Sequence, residues 1–252
     1  MVTKIAHLPA VAMFVCILAA HSPAQAETTN CVQITDVPVT ISSSGTYCLV
    51  RHLVYMPSSG DAITVNAGNV VVDFNGFSIS NRHTGNTTLA YGVVFTNRPN
   101  ITIRNGSIIG FNSGIRIESD RPGLLIEDMR LAENRNVGIL ARFFRAADAG
   151  GIIRRCQIDK TGGTSAALGI AVTGGSVEIV QNRVVGAVGT LPGTGVGILA
   201  MDGTHTVVDN RVHLADVGIR MSFDITPYRD NIVTGVRFAY EGGTPVGTTN
   251  VP

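Results

Sequence analysis

Arg116 and Glu118 stand two residues apart, and Arg142 follows 24 positions after Glu118. Two guanidiniums around one carboxylate can grip an acidic group in a forked geometry, with Glu118 as a candidate general acid or base. The plain alternative is a solvated surface ion pair. Asp202, His205, Asp209 and His213 form a second group, whose residue types suit acid–base or metal chemistry. His213 follows Val212 at a position expected to face solvent, so solvation is its simpler reading. There is no CxxC pair, no Cys/His spacing suited to zinc and no clustered Met/His set, so no metal and no cofactor is expected.

Whether Arg116, Glu118 and Arg142 share a surface depends on the elements that carry them, and these repeat. A Gly followed by a β-branched residue recurs at Gly92-Val93, Gly114-Ile115, Gly138-Ile139, Gly169-Ile170, Gly197-Ile198 and Gly218-Ile219. The intervals are 22, 24, 31, 28 and 21 residues, uneven as in a coil with variable loops. Asn182, Asn210 and Asn231 each lie 13 residues after their Gly. Gly106, Met129 and Cys156 take the equivalent place in other coils.

Between these markers the residues alternate as strands do. One and three positions after the Gly come Val93 and Phe95, Ile115 and Ile117, Ile139 and Ala141, Ile170 and Val172, Ile198 and Ala200, Ile219 and Met221. All are apolar and are expected to face inward. The outward set then includes Arg116 and Glu118, Leu140 and Arg142, Ala171 and Thr173, and Leu199 and Met201. This pattern predicts an all-β chain, a right-handed parallel β-helix of about seven coils, counted from the six Gly anchors plus Ala62-Ile63. The three asparagines are expected to form a ladder inside it, and glycine to serve where the chain turns with positive φ or where coils approach closely. A dinucleotide-binding fold is disfavoured, because Gly193-Thr194-Gly195-Val196-Gly197 lacks a following helix and a distant acidic partner.

Three segments carry a resemblance. They are Ile41-Ser42-Ser43-Ser44-Gly45-Thr46-Tyr47-Cys48-Leu49, Asn69-Val70-Val71-Val72-Asp73-Phe74-Asn75-Gly76 and Asn100-Ile101-Thr102-Ile103-Arg104-Asn105-Gly106. Together they resemble the opening of bacterial exported right-handed β-helix repeat proteins of the pectin-lyase-like superfamily. The resemblance spans roughly residues 31–240 and implies a fold more than an activity, since the superfamily holds polysaccharide lyases, glycoside hydrolases, tailspikes and adhesins. It implies that residues 27–60 cap the core, that the β-helix runs over 61–241, and that 242–252 is a tail. If the chain is an enzyme, the resemblance points to a polysaccharide lyase or a related carbohydrate-active class. A lyase would need several carboxylates for calcium, and this face offers Glu118 alone. A hydrolase would need two or three close Asp residues, and the Asn-Thr-Asp, Asp-Asp and Gly-His-Gly motifs of the galacturonases are absent.

The composition frames these expectations. Residues 1–26 read as a secretory signal peptide, with Lys4, an apolar run from Leu8 to Ala20, and Ala24-Gln25-Ala26 for cleavage. The alternative is a membrane anchor, for which the run is short. Setting Lys4 aside leaves 18 basic against 18 acidic side chains, from totals of 19 and 18. That balance argues against a polyanion-binding surface spread over the whole molecule, nucleic acid included, but not against a local patch. Export to the periplasm or beyond favours a Cys31–Cys48 disulfide over two reduced thiols, and leaves Cys156 as a buried small hydrophobe. Leu140, Ala171, Leu199 and Met201 would form an apolar stripe, either covered by the chain's own inserts or contacting another subunit or a surface. Two functions remain in view: an exported β-helix that binds or processes a polysaccharide, and a non-enzymatic structural or adhesion rod.

Overall fold

A computed structural model describes residues 30–144, 149–163, 166–222 and 226–252. The segment read as a signal peptide, residues 1–26, lies outside the described residues.

The β-branched alternation builds two sheets in which every strand pair is parallel. One contains nine described strands in chain order: Val39–Ile41, Asp61–Val65, Tyr91–Thr96, Ser113–Glu118, Val137–Arg142, Ala167–Thr173, Gly195–Met201, Val217–Met221 and Phe238–Glu241. We call it the flat sheet. The other is bent, with two runs of strands that meet at a corner. Ile101–Ile109 and Leu124–Ala132 cross this corner as continuous strands, whereas later coils break there into pairs such as Ser176–Val180 and Arg183–Ala187. At the corner of successive coils, Asn105, Asp128, Arg155, Gln181, Asp209 and Asp230 all have φ between 51° and 61°. A single left-handed residue per coil therefore turns the chain, and Asn and Asp tolerate that conformation best.

The inward residues fill one continuous core. The twelve side chains that follow the six glycines, from Val93 to Met221, are at most 3% exposed. Each large aliphatic among them contributes about 1.5–3 kcal/mol relative to an exposed position.

The recurring glycine has a definite cause. None of Gly92, Gly114, Gly138, Gly169, Gly197 and Gly218 has a left-handed φ. A Cβ on Gly169 would instead lie 2.4 Å from the carbonyl oxygen of Gly197 and 2.4 Å from a methyl of Val184. The same clash recurs from Gly92 to Gly114 and from Gly197 to Gly218, at 2.4 and 2.6 Å. Close approach of adjacent coils, rather than a turn, selects glycine in this column.

The ends of the stack continue its pairing. Val39–Ile41 joins the flat sheet beside Asp61–Val65, and Gly45–Leu49 joins the bent sheet beside Val70–Asp73. Residues 30–60, the described part of the 27–60 expected as a cap, therefore pair as a first coil in register with the rest. The Cys31–Cys48 disulfide ties that coil's start to its third strand. At the other end Thr244–Pro245 pairs with Pro227–Arg229, and Val251 bridges to Ile232.

Candidate functional site

The flat sheet sets the positions of the side chains with chemistry. Its register stacks Thr64, Val94, Arg116, Leu140, Ala171, Leu199 and Arg220 in one outward column. Thr96, Glu118, Arg142, Thr173 and Met201 stack in the next. Neighbouring coils stand about 4.8 Å apart, which brings Arg142, remote in sequence, beside Glu118. Arg116 Nη2 donates to Glu118 Oε1 at 2.7 Å, and Arg142 Nη1 lies 3.8 Å from the same oxygen. The two arginines and the carboxylate thus share one surface.

Two further residues complete this place, and both escape a count of alternating positions. Tyr91 puts its ring 4.8 Å from the Arg116 guanidinium carbon, and Asp61 stands in register with Tyr91 on the preceding coil. With Val94, Phe95, Thr96, Arg116 and Glu118 they line an open groove of about 220 Å³. Strict alternation from Val93 would turn Tyr91 inward. The pairing instead passes from Ser113↔Tyr91 to Ile115↔Val93 with no bridge at Gly92 and Gly114. The pairing skips the glycine, and the half-buried Tyr91 lines the groove, whereas Ser113 in the same place on the next coil is buried. The sequence signal was the position immediately before the anchor, occupied by Asp61 ahead of Ala62 and Tyr91 ahead of Gly92.

The electrostatics of the groove follow from these contacts. The hydrogen bond to Glu118 is the largest influence holding the Arg116 guanidinium above its ordinary pKa, and Tyr91 adds to it against the opposing effect of desolvation. Thr64 Oγ1 donates to Asp61 Oδ2 at 3.3 Å. The groove therefore offers a fixed cation, an aromatic face, two carboxylates and the Thr96 hydroxyl. It can hold an acidic group at Arg116 while neighbouring acceptors take hydroxyl donors.

The remaining residues singled out from the sequence are distributed elsewhere. Leu140 and Ala171 are 9% and 1% exposed, in a small cluster with Val137, Leu168 and Leu199, and Met201 is half-buried. Asn182, Asn210 and Asn231 lie in the core as a continuous hydrogen-bonded stack. Cys156 N donates to Asn182 Oδ1, Asn182 N to Asn210 Oδ1, and Asn210 N to Asn231 Oδ1, each at 2.9 Å. Asn250 provides the last rung, accepting from Asn231 N at 3.3 Å. His205 is fully buried, with Nε2 donating to the Met201 carbonyl, and burial lowers its pKa. His213 is exposed and bonds Thr234 Oγ1 through Nδ1 at 3.0 Å. Burial pushes the Cys156 thiol up to about 12, so it is a packing residue rather than a nucleophile.

A parallel β-solenoid with a polar groove on its flat sheet defines the class of this molecule. Residues 29–212 match the family model described as right handed beta helix region, and the chain belongs to that family. No curated protein and no solved structure matches it.

Proposed function

We propose that this is an exported β-helix protein, periplasmic or secreted, that binds an acidic polysaccharide on its flat sheet. The observation carrying this reading is the Arg116 guanidinium, held between the Tyr91 ring and the Glu118 carboxylate at the wall of an open groove. An aromatic face packs against a sugar ring, a guanidinium forks onto a uronate, and carboxylates accept sugar hydroxyls. Glu118 already shares one oxygen between two guanidiniums, an arrangement that orients the arginines. Its role in this reading is therefore positional before it is catalytic. Export is supported by the Cys31–Cys48 disulfide, since disulfides persist in oxidising compartments. Among the described residues, no helix is long and apolar enough to cross a membrane.

The test is calorimetric titration with oligogalacturonates and with neutral oligosaccharides of equal length. Acidic chains should bind, and Arg116→Ala should weaken that binding about tenfold, the loss of one charge-assisted contact. Equal binding of neutral chains, or an unaffected Arg116→Ala variant, would overturn the reading. The same samples, assayed with and without calcium for unsaturated products, report on the lyase alternative.

A further inference from the structure

The bent sheet carries a second column of charge. Its register stacks Arg130, Gln157, Arg183 and Arg211 on successive coils, facing outward. At the start of the column the charge is compensated. Asp159 lies 3.4 Å from Arg130 and 3.5 Å from Arg183, and accepts a hydrogen bond from Gln157 at 2.7 Å. At its end it is not: Arg211 has no acidic partner within ion-pair distance among the described residues. Yet Arg211 sits directly beside Arg183, about 4.8 Å away across the sheet. Like charges directly opposite one another destabilise a sheet. A groove of about 230 Å³ opens at this place, lined by Gln181, Asn182, Arg183, Asp209 and Arg211.

We propose that Arg183 and Arg211 form a second binding site, on a different sheet from Arg116, for the carboxylate of a sugar acid within an acidic polysaccharide. Two guanidiniums one coil apart can clamp a single carboxylate from both sides. The rest of the lining selects a hydroxylated ligand over a bare anion. Asp209 lines the groove and accepts from Gln181 Nε2 at 3.2 Å, and its carboxylate keeps further lone pairs for hydroxyl donors. A carboxylate repels every anion alike, so this lining favours a uronic acid through its hydroxyls, which sulfate and phosphate do not offer. None of the groove-lining side chains is aromatic, so the stacking platform that single-stranded nucleic acids use is missing from its wall.

The experiment is done in an Arg116→Ala background, so that the flat-sheet groove is weakened and the contribution of the bent-sheet arginines is read against it. Polygalacturonate should still bind this variant, and the affinity should fall with added salt. Adding Arg183→Gln and Arg211→Gln should weaken binding a further tenfold or so, with a melting temperature no lower than that of the parent, since the opposed charges are relieved. Arg211→Lys, which keeps the charge and loses the fork, should fall between the two. Complete loss of binding in Arg116→Ala alone, or equal binding with and without the bent-sheet arginines, would overturn the proposal. So would inorganic sulfate binding as tightly as galacturonate, since the site would then be a bare-anion site.

Discussion

The Tyr91 ring lies 4.8 Å from the Arg116 guanidinium, although the two residues sit on different coils, 25 positions apart. Stacking on an aromatic face orients a guanidinium without consuming its N–H donors. Tyr91→Leu should therefore keep the fold while weakening oligogalacturonate binding about threefold to tenfold, the worth of one exposed cation–π contact plus the lost ring face. Titration alongside a melting curve separates the effects, and a variant that melts earlier yet binds normally would deny Tyr91 this role.

Glycine at the coil-to-coil contact should be the least replaceable small residue. Gly169→Ala places a methyl 2.4 Å from the Gly197 carbonyl oxygen, an overpacking that costs about 1–3 kcal/mol or more. Gly193→Ala makes a useful contrast, because a Cβ there meets nothing within 4 Å and the penalty comes from φ of +79°, about 1–2 kcal/mol. Urea midpoints should rank Gly169→Ala below Gly193→Ala. The reverse order would contradict the close-approach account.

The asparagine stack predicts a large effect from one buried side chain. Asn210 Oδ1 accepts from both Asn182 N and Asn182 Nδ2, while its own amide donates to Ile179 O at 2.8 Å. Asn210→Ala orphans buried groups on two coils and should cost about 3 kcal/mol in urea unfolding. A loss under about 1 kcal/mol would mean that water replaces the amide.

His205 should make stability depend on pH. Burial holds its pKa below the ordinary 6.5, against smaller opposing effects of the Met201 carbonyl and Asp202. The unfolded chain then takes up the proton first, so stability is full above about pH 6.5 and declines as the pH falls below it. The decline levels off once the folded-state pKa is passed. His205→Phe should flatten this part of the profile in chemical denaturation at pH 5 to 7.5. An equal slope in both proteins would place the titration elsewhere.

Several of these relationships could be read in advance. The Gly–β-branched spacing marked each flat-sheet strand from Tyr91–Thr96 to Val217–Met221, because a period-two pattern with one buried face fixes register to the residue. It also placed Arg116 and Glu118 outward. The first coil was less legible: Val39–Ile41 has no Gly anchor, and its three residues join the sheet through backbone pairing that leaves little mark on composition. Tyr91 was not singled out, because alternation carried back from Val93 would turn it inward and the pairing skips Gly92.

The amino-acid order specifies what repeats: the period, the buried face, the glycine column and the asparagines of three successive coils. Those are local choices made again in each coil, so each leaves its own trace in the chain. What the order does not carry is the distance between residues of different coils. Stacking places Arg142 beside Glu118, Tyr91 over Arg116 and Arg183 against Arg211, although the repeat length varies from 21 to 31 residues. Both grooves arise from that stacking, because inter-coil hydrogen bonds set the spacing of side chains whatever the length of chain that separates them.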